Sequence, residues 1–329
     1  MHCLAAEEAL RLPARGLAAA EVGACLNGPR PTGPFNALDF AMYRETRDTA
    51  WLRAFESSAT AILNQPRRSP EGAWLHPCGN HLQGRLAILI DSFQEEASRL
   101  IKLAWLIRAG EPVPARLDPD ELEETACRQF EIHRDILRDP ATGLWHNGRG
   151  WIADDPARLS PGAWSRGHGW LLRGLMECLD HLGHPVRRQR LAGILNEVAE
   201  ALMNHRPPSG IWHALLNETP DRSPPESSGS ALIAAALIRA GQMDGLIPGI
   251  DPTPVMESAS VLMEDHLSAD GIVLHACPGP GPLASDAGYR VPSHFKPGDP
   301  HGTAAFCALA AAFPAAGNKI FHRVVVPAP

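Results

Sequence analysis

An aspartate without a basic neighbour one helical turn away is the first candidate for acid–base chemistry. Asp91 interrupts the apolar segment ILIDSF, and the positions one turn from it hold Ala87, Gln94 and Glu95. A carboxyl that is buried without a cation has a raised pKa, which suits a general acid. The pattern therefore predicts a general acid at Asp91; the alternative is a carboxylate that faces solvent or caps a helix.

A cluster of aromatic, basic and small residues follows Ser160-Pro161 in the segment WSRGHGW. Arg166 offers a planar fork for a carboxylate, and the indoles of Trp164 and Trp170 suit the apolar faces of sugar rings. The glycines on both sides of His168 would let a ligand approach the backbone closely. These residue types favour a site for an acidic sugar. The alternative is a structural tryptophan pair beside a surface arginine.

Further polar residues stand where loops and helix starts would meet the same mouth. His146 and Asn147 follow Trp145 in a predicted loop. The segments ESSGSA, which contains Ser228, and DPHGT, which contains His301, each begin a predicted helix. Either segment could instead be only an N-cap followed by small residues that pack tightly.

The elements that would position these residues are helices, because apolar residues recur at steps of three and four along most of the chain. One long stripe predicts a helix over 81–108, which places Asp91 inside it. Cap-and-proline pairs at Asp118-Pro119, Ser160-Pro161 and Asp251-Pro252 mark helix starts. The full set of predicted helices is 4–20, 35–45, 48–65, 81–108, 118–138, 162–183, 187–206, 227–241, 252–267 and 301–313.

A fourfold repeat organises these helices. The segments GAWLH, GLWH, GIWH and GIVLH each follow a predicted helix and recur at similar intervals, with first glycines Gly72, Gly143, Gly210 and Gly271. Each interval holds two helices, so the repeating unit is a helical hairpin. An apolar residue shortly after a turn glycine would tuck each loop back onto the helices. Hairpins of similar length can stack as an open solenoid or close into a ring, and the repeat alone leaves both open.

Composition excludes several other classes of protein. The 329 residues carry 30 Lys+Arg and 37 Asp+Glu, a net charge of −7 without a basic block, which argues against nucleic acid and anionic membranes as partners. No apolar run reaches the roughly 18 residues of a membrane span, and the N-terminus lacks the apolar segment of a secretory signal. We expect a cytoplasmic protein with one domain over 1–329; the oligomeric state is open.

Cysteine and histidine usage gives no sign of disulfides or metal. The seven cysteines are scattered and form no Cys-x-x-Cys pair, which favours free thiols. The pairs His181-x-x-His184 and Cys78-x-x-His81 each supply half of a zinc site. No metal site is predicted.

Taken in order, these motifs resemble those of glycoside hydrolase families 88 and 105, the unsaturated glucuronyl and rhamnogalacturonyl hydrolases. The likeness runs from about Tyr43 to the last predicted helix. It rests on seven segments: PRRSPEGAWLH, ILIDSF, DPATGLWHNG, WSRGHGW, ESSGSAL, CPGPGP and DPHGTAAF. Each motif alone is modest, but seven in the family's order are specific.

The resemblance implies an all-α fold, the (α/α)6 toroid of helical hairpins, incomplete here at the N-terminus. It also implies a hydrolase that removes a Δ4,5-unsaturated uronic acid from oligosaccharides left by a polysaccharide lyase acting on pectin or a glycosaminoglycan. The double bond is protonated at C4 and takes up water at C5, and the resulting hemiketal opens and expels the neighbouring sugar. The resemblance implies neither a metal nor an organic cofactor.

The resemblance also assigns roles by position. Asp91 corresponds to the family's acid/base aspartate, Arg166 to the residue that binds the uronate carboxylate, and Trp170 to the wall that stacks on the sugar ring. Asn147 stands where the family has a loop histidine, with His146 just before it, so both are substrate-binding candidates. The set of substrate-binding candidates is completed by Trp164, His168, Ser228 and His301.

Two departures from the family pattern favour a second hypothesis. The family's helices begin about one hairpin earlier, and its second aspartate has no counterpart in segment 28–34. The nearest acid, Asp39, falls inside a predicted helix. The alternative to an enzyme is therefore a catalytically inactive homologue that binds oligosaccharide or serves a structural role.

Overall fold

Helices form most of the chain that the structure describes. A computed structural model describes residues 38–65, 67–77, 86–113, 116–150, 155–243, 245–279, 295 and 297–313. These ranges contain nine helices and three short strands: α1 (Leu38–Thr46), α2 (Thr49–Leu63), β1 (His76–Pro77), β2 (Leu86–Leu89), α3 (Phe93–Arg108), α4 (Pro119–Leu137), β3 (Gly148–Arg149), α5 (Ser165–His181), α6 (Pro185–Asn204), α7 (Ser227–Gly241), α8 (Pro252–Asp265) and α9 (Pro300–Ala311).

The helices alternate between an inner and an outer layer, as a toroid of helical hairpins requires. Helices α3, α5, α7 and α9 pack side by side in the inner layer, and α2, α4, α6 and α8 each pack on an inner helix from outside. In α5, 14 of 17 residues are buried, whereas in α6 only 7 of 20 are. An inner helix is covered on nearly every face, while an outer helix needs only one apolar stripe. The predicted all-α class is confirmed.

Each loop from an outer helix to the next inner helix carries one copy of the repeat. The four repeat glycines all have positive φ: Gly72 at 93°, Gly143 at 76°, Gly210 at 81° and Gly271 at 77°. This backbone region favours glycine because a side chain there meets its own backbone. The residue two positions later is buried in every copy: Trp74, Trp145, Trp212 and Val273. The prediction that these loops fold back onto the helices is confirmed.

The helix predicted over 81–108 is wrong in its first part. Residues 86–89 form strand β2, which pairs antiparallel with β1 on one side and β3 on the other. Asp91 therefore stands in a turn, and α3 begins at Phe93. Residues Ala87–Leu89 are all buried. A continuous apolar run of this kind shows neither the two-residue period of a strand nor the 3.6-residue period of a helix, so the sequence cannot distinguish the two.

Two of the three proline-marked helix starts are confirmed. Asp118 caps α4 and Asp251 caps α8, each through a side-chain oxygen that accepts a backbone N–H. Ser160 does not cap α5, which begins at Ser165. Its hydroxyl instead accepts the Gly148 N–H at 3.1 Å and so joins the loop before α5 to β3. A Ser-Pro pair thus gave the right helix but a start several residues early.

Several predicted features lie outside the described residues, namely the helix over 4–20, the segment 28–34 and the pair Cys78-x-x-His81. Across the described ranges, none of the helices has the length and apolar character needed to cross a membrane. The same residues contain no group of three or more His, Cys, Asp or Glu arranged to hold a metal ion. Four cysteines are described, and all are buried free thiols: Cys127, Cys178, Cys277 and Cys307.

Candidate functional site

The starts of four inner helices meet at one face of the toroid and bring predicted site residues together. Asp91 stands two residues before α3, and Arg166, Ser228 and His301 are each the second residue of α5, α7 and α9. Arg166 bonds to Ser228, and its charge acts on both Asp91 and His301. Helix N-termini carry partial positive charge, so this face favours an anionic ligand.

Arg166 is a buried cation without a carboxylate partner in the described part of the chain. It is 1% exposed. Its Nη1 donates to Ser228 Oγ at 3.2 Å and to the carbonyl oxygen of Cys277. Its Nε is buried and makes no hydrogen bond. A buried charge is costly unless it is paired, so Arg166 is suited to a ligand carboxylate. The alternative of a surface arginine is wrong.

Gly279 keeps one edge of the Arg166 guanidinium clear of side chains. A Cβ built at this position would lie 2.7 Å from Arg166 Nη2 and 3.6 Å from Cε1 of the His301 ring. Gly279 also has a φ of +80°, which disfavours any side chain. A side chain at residue 279 would therefore meet both Arg166 and His301.

His301 presents a neutral imidazole to this space. Its Nδ1 lies 2.7 Å from Asp299 Oδ1, and the same oxygen accepts the His301 N–H as the N-cap of α9. Burial lowers the pKa of His301, and the nearby Arg166 charge lowers it further. Since Asp299 holds the proton on Nδ1, Nε2 is left as an acceptor for a ligand hydroxyl.

Asp91 is partly exposed in the turn between β2 and α3. Burial raises the pKa of its carboxyl, and the charge of Arg166 opposes that rise. Ser92 Oγ lies 3.4 Å from Asp91 Oδ1, and the turn is held by a bond from the Ile90 N–H to the Asn147 carbonyl at 3.1 Å. A carboxyl with a raised pKa keeps its proton at a higher pH than an ordinary carboxyl does, so it is suited to donate that proton in catalysis.

The two glycines of WSRGHGW pack against protein rather than ligand. A Cβ at Gly167 would lie 2.6 Å from Ile90 Cγ2, and one at Gly169 would lie 2.6 Å from Leu232 Cβ. The expectation that they let a ligand approach the backbone is wrong. They let α5 approach the turn that carries Asp91 and the neighbouring helix α7, which brings the two site segments together.

His168 lies under the site with both ring nitrogens engaged. Its Nδ1 lies 2.8 Å from the Trp164 carbonyl oxygen, and its Nε2 accepts the Trp145 N–H at 2.9 Å. Burial lowers the pKa of His168 to about 4, so the ring is neutral. These bonds tie the start of α5 to the repeat loop before it and leave neither nitrogen for a ligand.

His146 and Asn147 point to different partners. The His146 Nδ1 lies 2.7 Å from the Ser160 carbonyl oxygen, and its ring is partly exposed. Asn147 is 2% exposed, and its Oδ1 lies 3.4 Å from the position of a Cβ on Gly167. The Asn147 side chain is therefore the one that faces the start of α5.

The two tryptophans of WSRGHGW are both buried. The Arg166 guanidinium carbon lies 4.6 Å from the centre of the Trp164 ring, so that ring supports the cation from one face. Trp170 lies one turn after Arg166 in α5, with the Arg173 guanidinium carbon 5.6 Å from its ring centre. Trp164 thus acts on the guanidinium, whereas Trp170 packs in the hydrophobic core, and its ring-stacking role stays a prediction.

Asp39 does not join this group. It is buried inside α1, as expected, and both of its oxygens accept hydrogen bonds from Arg99 Nη1, at 2.8 and 3.0 Å. Burial raises its pKa, and the Arg99 charge opposes the rise.

Sequence reasoning missed the parts of the site that act through the backbone. The Cys277 carbonyl and Gly279 both belong to the motif CPGPGP. Every residue has a backbone carbonyl, so residue types cannot indicate which carbonyl accepts a hydrogen bond from an arginine. Asp299 and Glu226 belong to the candidate segments DPHGT and ESSGSA, for which an N-cap is the alternative. Both are caps, and both also bond to site residues.

Comparisons with known proteins agree with this architecture. The model of glycosyl hydrolase family 88 matches residues 35–313. The unsaturated rhamnogalacturonyl hydrolase YesR of Bacillus subtilis (strain 168) is 26% identical over 267 residues, which are 76% of this chain and 67% of that protein. A possible member of family 105 from Salmonella enterica has a TM-score of 0.72 at 24% identity, over 90% of this chain and 74% of that chain.

A more distant structure has the same fold. The unsaturated glucuronyl hydrolase of Bacillus sp. GL1 has a TM-score of 0.57 at 18% identity, over 83% of this chain and 70% of that chain. These likenesses confirm the (α/α)6 toroid fold class.

Proposed function

This chain belongs to glycosyl hydrolase family 88 and is a glycosidase, and we propose that it removes a Δ4,5-unsaturated uronic acid from the non-reducing end of lyase-generated oligosaccharides. The observation that carries the proposal is Arg166, a buried cation that has no carboxylate partner among the described residues and whose charge acts on the Asp91 carboxyl. A uronic acid supplies the carboxylate that this cation lacks.

The substrate carboxylate binds to the edge of Arg166 that makes no hydrogen bond to the described residues. Nη1 is engaged by protein oxygens, whereas Nε has no partner and Nη2 faces Gly279. Nε and Nη2 lie side by side on the guanidinium plane, as a two-point bond to a carboxylate requires. His301 Nε2 lies across the same space and accepts a hydrogen bond from a sugar hydroxyl.

Binding at Arg166 places the double bond beside Asp91. The carboxylate is attached to C5, so C4 is only one bond further away. Asp91 donates its proton to C4, and the ring oxygen stabilises the positive charge that develops at C5. Water adds at C5 and gives its proton to Asp91, which returns to its starting state. The hemiketal then opens, and the neighbouring sugar leaves from C1. The net reaction consumes one water.

The proposal is tested by incubating the protein with a panel of unsaturated disaccharides that have rhamnose or a hexosamine as the second sugar. Loss of the ultraviolet absorbance of the C4=C5 bond, together with release of the second sugar, is the expected result. A panel in which no member is turned over would contradict the proposal.

A second candidate is a homologue that binds the oligosaccharide without cleaving it. The observation that favours it is Asp39, which is committed to Arg99 and so cannot serve as a second acid. Calorimetry with a saturated uronic-acid oligosaccharide separates the two candidates. Binding without any turnover of the unsaturated panel supports the binding protein.

We also propose that the substrate derives from pectin, since the curated relative is a rhamnogalacturonyl hydrolase, and that the protein is cytoplasmic. Free thiols at all four described cysteines support a reducing compartment. Preference for rhamnose over hexosamine in the disaccharide panel tests the first point. Fractionation of cells that express the protein tests the second.

A further inference from the structure

We infer that Glu226 is a positioning residue that sets the direction in which Arg166 faces. It does so by fixing the two groups that accept hydrogen bonds from Arg166 Nη1. The inference rests on the proposed function, because it concerns how the same arginine is aimed at the substrate carboxylate. Glu226 stands just before α7 and is 0% exposed.

One oxygen of Glu226 bonds to both residues that accept from Arg166. Glu226 Oε1 accepts the Ser228 N–H at 3.0 Å, the Ser228 hydroxyl, and the Cys277 N–H at 2.9 Å. Ser228 Oγ and the Cys277 carbonyl are the two acceptors of Arg166 Nη1. A single carboxylate oxygen therefore fixes the serine at the start of α7 and the loop residue 277 together.

The direction of the hydrogen bonds matters for the arginine. The Ser228 hydroxyl has one proton, and it donates that proton to Glu226. A lone pair is therefore left toward Arg166 Nη1, which can only donate. Without Glu226, the hydroxyl is free to turn its proton elsewhere, and residue 277 loses the bond that holds its backbone in place.

The consequence is that Arg166 is held at one nitrogen, while the other two make no hydrogen bond to the described residues. Nη1 carries both protein bonds, the ring of Trp164 supports the guanidinium face at 4.6 Å, and Nε makes no hydrogen bond. Glu226 forms no direct ion pair with Arg166, so it does not compete for the edge that binds the carboxylate. It supplies a negative charge nearby, which offsets part of the cost of burying the cation.

A purely structural role for Glu226 makes a different prediction. Its carboxylate also accepts the Gly229 N–H at 2.5 Å and so caps α7. A cap alone contributes to the stability of its helix. Loss of the cap would lower the melting temperature and would reduce the affinity for charged and uncharged ligands by the same factor.

The test measures the preference for a free carboxylate by calorimetry. An unsaturated uronyl-rhamnose disaccharide and its methyl ester are titrated into Asp91→Asn protein, in which the proposed acid is absent. Glu226→Gln and Ser228→Ala are added to that background, and Asp118→Asn, which removes the charge of the carboxylate that caps outer helix α4, is the matched control. Ser228→Ala keeps the Glu226 cap and so serves if Glu226→Gln does not fold.

We expect Glu226→Gln and Ser228→Ala each to reduce the preference for the free acid by about 10-fold, the value of one charge-assisted hydrogen bond. Ester affinity stays unchanged, and Asp118→Asn keeps the full preference. Adding Arg166→Ala to Glu226→Gln gives no loss beyond that of Arg166→Ala alone, because the glutamate acts through the arginine.

Two other results are distinguishable. If the preference survives in Glu226→Gln (or in Ser228→Ala, should Glu226→Gln not fold) but is lost in Arg166→Ala, the inference is overturned and the proposed function stands. If the parent protein itself binds acid and ester equally, the carboxylate role of Arg166 fails, and the proposed function and this inference are both overturned.

Discussion

Burial raises the pKa of the Asp91 carboxyl, and the positive charge of Arg166 acts against that rise. Asp91 stands in the turn before α3 and Arg166 in the first turn of α5, and the close packing of Gly167 on Ile90 brings these segments together. The arginine thus has two effects on the proposed reaction: it binds the substrate carboxylate, and it sets how readily Asp91 releases its proton.

This relationship predicts a pH dependence. Asp91 must be protonated to act as the acid, so kcat/KM is highest below its raised pKa and falls as pH rises through it. Arg166→Ala removes the charge that opposes the rise, so the falling limb moves to higher pH. The measurement is a pH profile of kcat/KM for both proteins. A limb that stays in place or moves to lower pH contradicts the electrostatic relationship.

Asp91→Asn keeps the size of the side chain but removes the transferable proton. We expect turnover to fall by about 10²–10⁴-fold, the usual contribution of general acid–base catalysis, with substrate affinity nearly unchanged. Ser92→Ala, which removes only the hydroxyl 3.4 Å from the carboxyl, is the control and keeps turnover. Asp91 loses its catalytic role if the asparagine variant works within about threefold of wild type.

Arg166→Lys and Arg166→Ala test the carboxylate fork. A lysine offers a point charge without two donors in a plane, so both variants weaken binding, the alanine more strongly. A charge-assisted hydrogen bond contributes roughly 1.5–3 kcal/mol, or about 10–150-fold in affinity. The loss should disappear for a methyl-esterified ligand. Equal losses for acid and ester would show that Arg166 supports the fold rather than the substrate.

Gly279→Ala tests whether the carboxylate binds beside Arg166 Nη2. The added methyl group would lie 2.7 Å from Arg166 Nη2, so affinity for the free acid should fall. Gly110→Ala is a matched control, because Gly110 has a similar φ of +76° but no atom within 4 Å of a built Cβ. Both variants carry the same backbone strain of about 1–2 kcal/mol. If both retain full affinity for the acid, the space beside Nη2 is not where the carboxylate binds.

The packing of α5 on α7 predicts how stability changes when Gly169 is replaced by alanine, and an exposed glycine in α6 gives a control with the opposite change. Gly169→Ala places a Cβ 2.6 Å from Leu232 Cβ and should destabilise the protein by about 1–3 kcal/mol through overpacking. Gly193→Ala lies within outer helix α6 with nothing near its Cβ and should stabilise by up to about 1 kcal/mol. Denaturant unfolding measures both. A Gly169→Ala variant as stable as wild type would contradict the close approach of the two helices.

Much of the scaffold could be predicted from the sequence because its signals are local. The α7 bounds of 227–241 match the prediction, and the repeat glycines at positive φ explain why the loops recur at similar intervals. Strand β2 could not be predicted, since the run around Ile88 is apolar on both faces and its pairing partners are distant in sequence.

The site divides in the same way. Asp91, Arg166, Ser228 and His301 could be selected by residue type, and the structure places them at one face. The engagement of both His168 nitrogens and the covering of the Trp164 face by Arg166 depend on contacts between segments. Such contacts leave no pattern in a single sequence.

The central claim is that the double bond is hydrated before the glycosidic bond breaks. NMR of an unsaturated uronyl disaccharide in D₂O, with the wild-type protein added, follows both events in one sample. We predict that the C4=C5 signal decays no later than the free second sugar appears, with deuterium at C4 of the product. Release of the second sugar while the double-bond signal persists would instead indicate attack at the anomeric carbon and would contradict the account.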